Sequence, residues 1–248
     1  MLGGQVVAME DVWIEAGFFL VSGGSSPERQ RHLLPARMAT VSTCIVESYP
    51  DQWALPGVKT KPDELRQIRE SLSLDESGLE ELRCWVERAL DEGNIGWPNV
   101  FFSLRAAREL RSRFLGALQD SRLLGLSIAK DLAAEFIREQ RDGAPSVSTM
   151  VARGIPLAQC SPPLGFDVLG AEYGGSFHTF SCNGLERAFA EKLGIKLNSY
   201  GLIDEYSAAV AACEYANRDD VGAEPVAWYP FRVDDYPLES RASSRWSP

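Results

Sequence analysis

A short stretch in the second half of the chain contains side chains of types that perform chemistry in proteins. Residues 173–184 read Tyr-Gly-Gly-Ser-Phe-His-Thr-Phe-Ser-Cys-Asn-Gly and include Ser176, His178 and Cys182. A cysteine beside a histidine can act as a nucleophile beside its base. The pattern indicates a β-strand, on which these three side chains would share one face with Phe180.

The spacing of His178 and Cys182 limits what the two residues can do together. Four residues along a strand correspond to about 13 Å, too far for proton transfer unless the chain bends sharply. We therefore interpret the stretch as a strand with a hydrogen-bonded histidine and a buried cysteine. A small enzyme with a site around His178 and Cys182 is the alternative interpretation.

The sequence lacks the motifs of well-defined enzyme classes. It contains no phosphate-binding loop, no H-E-x-x-H, no G-x-S-x-G and no C-x-x-C pair. Because His32 and His178 are its only histidines, a site with several histidines is excluded, and no zinc-ligand spacing is evident. We therefore predict no catalytic residues, no metal site and no cofactor.

Three pairs of acidic residues lie among aromatic residues between positions 200 and 236. Tyrosine and tryptophan are frequent anchors of protein interfaces, and charge accelerates the encounter of partners. The sequence therefore predicts a partner-binding surface that consists of Asp204, Glu205, Asp219, Asp220, Trp228, Tyr229, Asp234 and Asp235. The alternative is that the aromatic residues belong to the core and the acids are only solvated.

The overall charge indicates which partners are compatible with the chain. The 35 acidic residues outnumber the 25 basic ones, which gives a net charge of −10. Binding of nucleic acid requires a basic surface, so nucleic acid is not expected as a partner. A basic protein is the expected partner.

Cysteine usage and hydropathy bear on the compartment. Five dispersed cysteines form no paired motif, which favours free thiols in a reducing environment. No basic residue precedes Arg29, so we expect no export signal. The longest apolar run of this region, residues 16–21, is far shorter than the roughly 20 residues that span a bilayer. These features predict a cytoplasmic protein that is not embedded in a membrane.

The elements that must position these residues are strands alternating with helices. Apolar periodicity and turn residues predict helices that begin near residues 60, 77, 103, 130, 185 and 205, and strands at 12–21, 39–47, 122–128, 166–171, 176–182 and 227–233. The last strand is expected at a sheet edge, because Pro230 cannot donate to a ladder.

Together these elements predict the fold class. We expect one α+β (or α/β) domain over residues 1–238, with a mostly antiparallel or mixed sheet flanked by helices. Residues 239–248, rich in serine and arginine, are expected to form a flexible tail.

Four segments of the chain resemble poorly characterised bacterial proteins. The segments are Leu164–Gly170, Phe177–Glu186, Tyr200–Asp204 and Glu224–Pro230. Some of those proteins are similar to the immunity proteins that accompany polymorphic toxins. The resemblance covers roughly residues 120–238. It implies a protein that binds and blocks one toxin, and it brings no catalytic residues with it.

The leading functional prediction is therefore a non-catalytic binding protein. It would be an immunity-type inhibitor that occludes the active site of a cognate toxin through its acidic surface. An enzyme with a site around His178 and Cys182 remains the alternative, and a scaffold or regulatory protein is a third possibility.

Overall fold

The fold is that of an α+β protein, as predicted. The computed structural model describes residues 12–23, 37–97, 99–118, 120–140, 145–158, 162–172 and 176–238. The predicted tail 239–248, His32, Cys160 and the turn residues 173–175 lie outside these ranges. Seven α-helices and an eight-stranded sheet are present in the described residues.

All strand pairs of the described sheet are antiparallel. The strands are β1 (Trp13–Ser22), β2 (Glu47–Tyr49), β3 (Ile95–Gly96), β4 (Val100–Phe101), β5 (Ser121–Ala129), β6 (Gly165–Ala171), β7 (Phe177–Thr179) and β8 (Ala227–Tyr236). They follow the order β3-β4-β1-β5-β8-β6-β7, and β2 pairs with β1. β7 is thus an edge strand in the described sheet, and β8 is central.

The helices lie on both faces of this sheet. They are α1 (Pro62–Leu72), α2 (Glu76–Asp91), α3 (Leu104–Phe114), α4 (Lys130–Glu139), α5 (Val147–Ala152), α6 (Glu186–Ala188) and α7 (Tyr206–Ala216). A π-helical turn, Phe189–Leu193, continues α6, and two 3-10 turns cover Gln52–Ala54 and Phe180–Asn183.

Three apolar clusters hold these layers together. On the first face, α4, α5 and the segment 37–46 pack on side chains such as Leu126 and Phe231. On the second face, α1–α3 pack on one end of the sheet, and α6 and α7 pack on the other end. The second face therefore has two separate groups of helices, with the centre of the sheet between them.

Most predicted elements are confirmed, but the strand predicted at 39–47 is wrong apart from its end. Only Glu47–Tyr49 forms a strand. The carbonyl of Ser42 accepts hydrogen bonds from the N–H groups of both Ile45 and Val46, at 3.0 Å each, which closes a tight turn. The alternating apolar residues of this segment face the core from an irregular chain.

The prediction that the strand at 227–233 lies at an edge is also wrong. β8 pairs with β5 and with β6. Its ladder with β5 begins at Phe231, so Pro230 lies just beyond it and needs to donate no hydrogen bond on that side.

The predicted strand 176–182 ends early. β7 stops at Thr179, and residues Phe180–Asn183 form a 3-10 turn. The chain thus bends between His178 and Cys182, so the distance of a straight strand does not separate them.

Among the described residues, no helix is long and apolar enough to cross a membrane.

Candidate metal centre

Three side chains with metal-binding atoms converge beside the edge strand β7. Cys44 lies in the irregular segment 37–46, His178 in β7 and Cys182 in the 3-10 turn that follows. The two sulfur atoms and one imidazole nitrogen lie within 4.8 Å of one another. All three residues are partly buried, so the cluster lies just below the surface.

Ser42 fixes the position of Cys44. Its carbonyl closes the turn that contains Cys44, and its own N–H donates to Thr40 Oγ1 at 3.3 Å. Ser42 is fully buried, and its Oγ lies 3.1 Å from Cys182 Sγ. The turn is therefore joined directly to the segment that carries the second cysteine.

The 3-10 turn places Cys182 next to His178. Phe180 is fully buried against Phe189, with ring centroids 5.1 Å apart, which pulls the chain off the line of the strand. Gly184 ends the turn at φ 63°, a left-handed conformation that favours glycine. The strand interpretation of residues 180–182 is therefore wrong, and the sharp bend that the sequence left open brings His178 and Cys182 together.

The imidazole of His178 contacts both cysteine and carboxylate groups. Its Nδ1 lies 3.5 Å from Cys44 Sγ and 3.1 Å from Glu224 Oε2. Its Nε2 lies 2.9 Å from Glu172 Oε1, at an angle that makes an ion pair rather than a well-formed hydrogen bond. Only 14% of the His178 side chain is exposed, so these contacts define its surroundings.

Two hydrogen bonds hold Glu224 beside the cluster. The side-chain amide of Asn183 donates to Glu224 Oε2 at 3.3 Å, and the backbone N–H of Glu224 donates to Asn183 Oδ1 at 3.0 Å. Asn183 follows Cys182 directly, so the same turn positions one ligand and this carboxylate.

The environment favours a thiolate beside an imidazolium ion. Hydrogen bonds from Cys182 and His178 lower the pKa of the Cys44 thiol far below its usual value. The Cys44 contact, opposed by burial and helped by Glu172 and Glu224, raises the pKa of His178 to about 9. The hydrogen bond to Cys44, together with burial, raises the pKa of Cys182. One of the two sulfurs is therefore ready to bind a cation.

One observed separation agrees with that of a tetrahedral zinc site. Zinc binds sulfur at 2.3 Å and nitrogen at 2.0–2.1 Å, which places the two ligand atoms about 3.5 Å apart. Cys44 Sγ and His178 Nδ1 are 3.5 Å apart. The Glu172 carboxylate lies 2.9 Å from Nε2, on the side of the ring away from the cysteines.

The acidic residues predicted to bind a partner fall into two groups. Asp204, Glu205, Asp219, Asp220 and Asp235 are exposed. Asp220 pairs with Arg218 at 2.7 Å, and Asp235 pairs with Arg122 at 2.7 Å. These acids are accessible to solvent, as a binding surface requires.

Three other members of that predicted surface are buried. Trp228 is 2% exposed, Tyr229 is 4% exposed and Asp234 is 7% exposed. The two aromatic residues alternate along the central strand β8 and belong to the clusters on opposite faces. The prediction that they are accessible anchors is therefore wrong, because β8 is covered on both faces.

Cys44, Glu172 and Glu224 were not among the site residues predicted from the sequence. Cys44 and His178 are separated by 134 residues, and no local spacing connects them. The available signal was the pair His178 and Cys182, with a glycine two residues beyond the cysteine that permits a bend.

Comparison with protein-family models, curated proteins and solved structures found no match.

Proposed function

We propose that the protein is a zinc-dependent enzyme whose ion is held by Cys44 Sγ, His178 Nδ1 and Cys182 Sγ. The observation that carries the proposal is the convergence of two sulfurs and one imidazole nitrogen within 4.8 Å. A Cys–His pair used as nucleophile and base needs only one of these sulfurs. A metal site accounts for both.

The chemistry of the ligand set favours zinc. Thiolate and imidazole ligands select zinc and other soft transition metals, whereas magnesium and calcium prefer oxygen ligands. The pKa of Cys44 is depressed, so its thiolate forms readily, whereas His178 and Cys182 have raised pKa values and must lose their protons when a metal binds.

Among the described residues, three side chains place metal-binding atoms together, which is the number of protein ligands in a catalytic zinc site. Structural zinc sites have four protein ligands, whereas catalytic ones have three and leave a position for water. Zinc makes such a water a strong nucleophile at neutral pH. Glu224 borders the ligand set, and its Oε2 can accept a hydrogen bond from a water in that position. Hydrolysis is therefore the proposed reaction class.

Metal analysis of matched variants tests the binding part of the proposal. The unaltered chain, produced with zinc in the medium, should contain one zinc ion per molecule. Cys182→Ser and His178→Gln should lose it. Cys84→Ser is the matched control, because Cys84 is exposed and lies outside the site. Equal zinc in the Cys182→Ser variant, or none in the unaltered chain, would contradict the proposal.

Assays with ester, phosphate, peptide and nucleotide substrates test the catalytic part. Turnover should disappear on chelation, return with zinc, and be lost in Glu224→Gln although zinc remains bound. Glu214→Gln, an exposed acid on α7, is the control. Turnover that survives chelation but ends when Cys44 is alkylated would show a thiol nucleophile instead. Bound zinc without any turnover would contradict catalysis.

An immunity-type inhibitor is the second candidate function. The observation that favours it is the exposure of Asp204, Glu205, Asp219 and Asp220, which form an acidic stretch along one part of the chain. Such a surface attracts a basic protein and speeds its association. Neutralising Asp219 and Asp220 should therefore slow that association.

A further inference from the structure

A groove lies on the second face of the sheet, away from the metal ligands. It has a volume of about 500 Å³, which is within the usual size of small-molecule sites. Its lining comes from β1, from the start of α3, from residues 157–158 and from the end of β8. The groove lies between the two helix groups of the second face.

The floor of the groove is a row of polar side chains across three central strands. Glu15 of β1 pairs with Ser127 of β5, and Ser127 pairs with Arg232 of β8. Residues directly opposite one another in a sheet point to the same face, so all three side chains point to the second face, and Glu15 and Arg232 line the groove on either side of Ser127. Ser127 is 1% exposed, and its Oγ has no hydrogen-bond partner. A buried hydroxyl without a partner is unusual.

The charges on this floor do not balance. The Arg232 guanidinium makes two hydrogen bonds to the Asp234 carboxylate, at 2.9 Å and 2.8 Å, so these two charges neutralise each other. Glu15 forms no ion pair with any described residue, and burial alone raises its pKa. A partly buried carboxylate without a cation is costly, and a positively charged ligand would remove that cost.

The walls of the groove are largely apolar. They include Phe18, Phe102, Leu104, Leu157 and Tyr236. Apolar walls with a few converging polar groups are typical of sites for small organic molecules. A bare metal ion would leave these walls in contact with water, whereas an organic cation would cover them.

We infer that this groove binds a small organic cation, a protonated amine on an aromatic or aliphatic body. The ammonium group pairs with Glu15, and the apolar body packs against Phe18, Phe102 and Leu157. The inference is independent of the metal site, since none of the metal ligands lines the groove.

Binding of phenethylamine, measured by NMR titration of the full chain at about pH 8, tests the inference. At this pH both the amine and Glu15 are charged. Phenethyl alcohol is the matched neutral probe with the same apolar body. Phenethylamine should bind and change the chemical shifts of residues in the groove. The affinity of the alcohol should be lower by a factor of about ten or more. Equal binding of both probes, or binding of neither, would overturn the inference.

Two variants locate the binding. Glu15→Gln should weaken phenethylamine binding about tenfold while the alcohol is unaffected. Asp235→Asn is the control, because this exposed acid at the rim already pairs with Arg122. Leu104→Trp, which fills the groove without changing its charge, should abolish binding of both probes. An unchanged melting temperature would show that each variant is folded. Unweakened binding of phenethylamine by folded Glu15→Gln would contradict the inference.

Discussion

A buried carboxyl group connects the two chain segments that carry Cys44 and His178. Asp167 is fully buried on β6. Its Oδ1 accepts a hydrogen bond from Thr179 Oγ1 at 2.6 Å, and Thr40 also donates to it. Thr179 follows His178 directly, and Thr40 belongs to the segment of Cys44. Asp167 therefore holds these segments together without touching the ligand atoms.

The burial of Asp167 makes stability depend on pH. Burial raises its pKa from 3.8 to about 7. The folded state holds the proton of Asp167 more tightly than the unfolded state does. The free energy of unfolding is therefore highest below about pH 4, and it falls by up to about 4 kcal/mol as pH rises to about 7. Asp167→Asn removes this titrating group, so the free energy of unfolding of the variant should fall less between pH 5 and pH 8 than that of the unaltered chain. Urea unfolding of both proteins at the two pH values measures this difference. An equal fall in the variant and in the unaltered chain would contradict the raised pKa of Asp167.

The cysteines should differ in reactivity according to their surroundings. Cys84 is exposed, whereas Cys213 is 5% exposed and burial raises the pKa of its thiol. Alkylation of the zinc-loaded protein should modify Cys84 first, and Cys213 only after unfolding. Chelation should make Cys44 reactive, because its sulfur is then released as a thiolate. Peptide mapping by mass spectrometry measures the order. Modification of Cys44 at the same rate with and without chelator would contradict zinc ligation.

At the scale of elements, the 3-10 turn between His178 and Cys182 decides whether a site forms. Gly184 closes it at φ 63°, with no atom near the position of an added Cβ. Gly184→Ala should therefore cost about 1 kcal/mol through backbone strain alone, and it should weaken zinc binding because the turn must shift. Gly154 has a similar φ of 64° and equally open surroundings after α5. Gly154→Ala should cost the same stability and leave zinc affinity unchanged.

Denaturation curves and zinc competition with a chelator measure the two effects. Equal zinc affinity in the Gly184 and Gly154 variants would show that the turn does not control the site.

The sequence predicts these elements well where local periodicity decides them. β1, β5 and α4 have continuous apolar patterns, and their predicted positions agree with the structure to within one or two residues. The turn at 180–183 could not be predicted, because Phe180 leaves the strand to pack in a distant cluster. Cys44 could not be assigned to the site, because its contact with His178 depends on how the segment 37–46 crosses the sheet.

At the scale of the whole molecule, the position of β8 determines which acidic and aromatic residues can bind a partner. Its central place in the sheet buries Trp228, Tyr229 and Asp234. Only the final strand order shows this, since the sequence of β8 alone is equally compatible with an edge strand. The exposed acids remain the predicted surface for a basic partner.

Substitutions should separate the two groups of residues. Trp228→Ala should lower stability by about 3–5 kcal/mol by leaving a cavity. Asp234→Asn should cost about 3 kcal/mol or more, because it removes the carboxylate paired with buried Arg232.

Asp219→Asn with Asp220→Asn should leave the melting temperature unchanged and slow association with a basic partner. Thermal unfolding and association kinetics over a range of salt concentrations measure these effects. Unchanged association would show that the acidic surface does not recognise a partner.

X-ray absorption spectroscopy at the zinc edge tests the account most directly, because it identifies the ligand atoms. The zinc-loaded chain should show two sulfur neighbours at about 2.3 Å and nitrogen or oxygen neighbours at about 2.0–2.1 Å. The Cys182→Ser variant, loaded with zinc at high concentration, should show one sulfur at most. Two sulfur neighbours would support the site of Cys44, His178 and Cys182. A spectrum with only nitrogen and oxygen neighbours would contradict it.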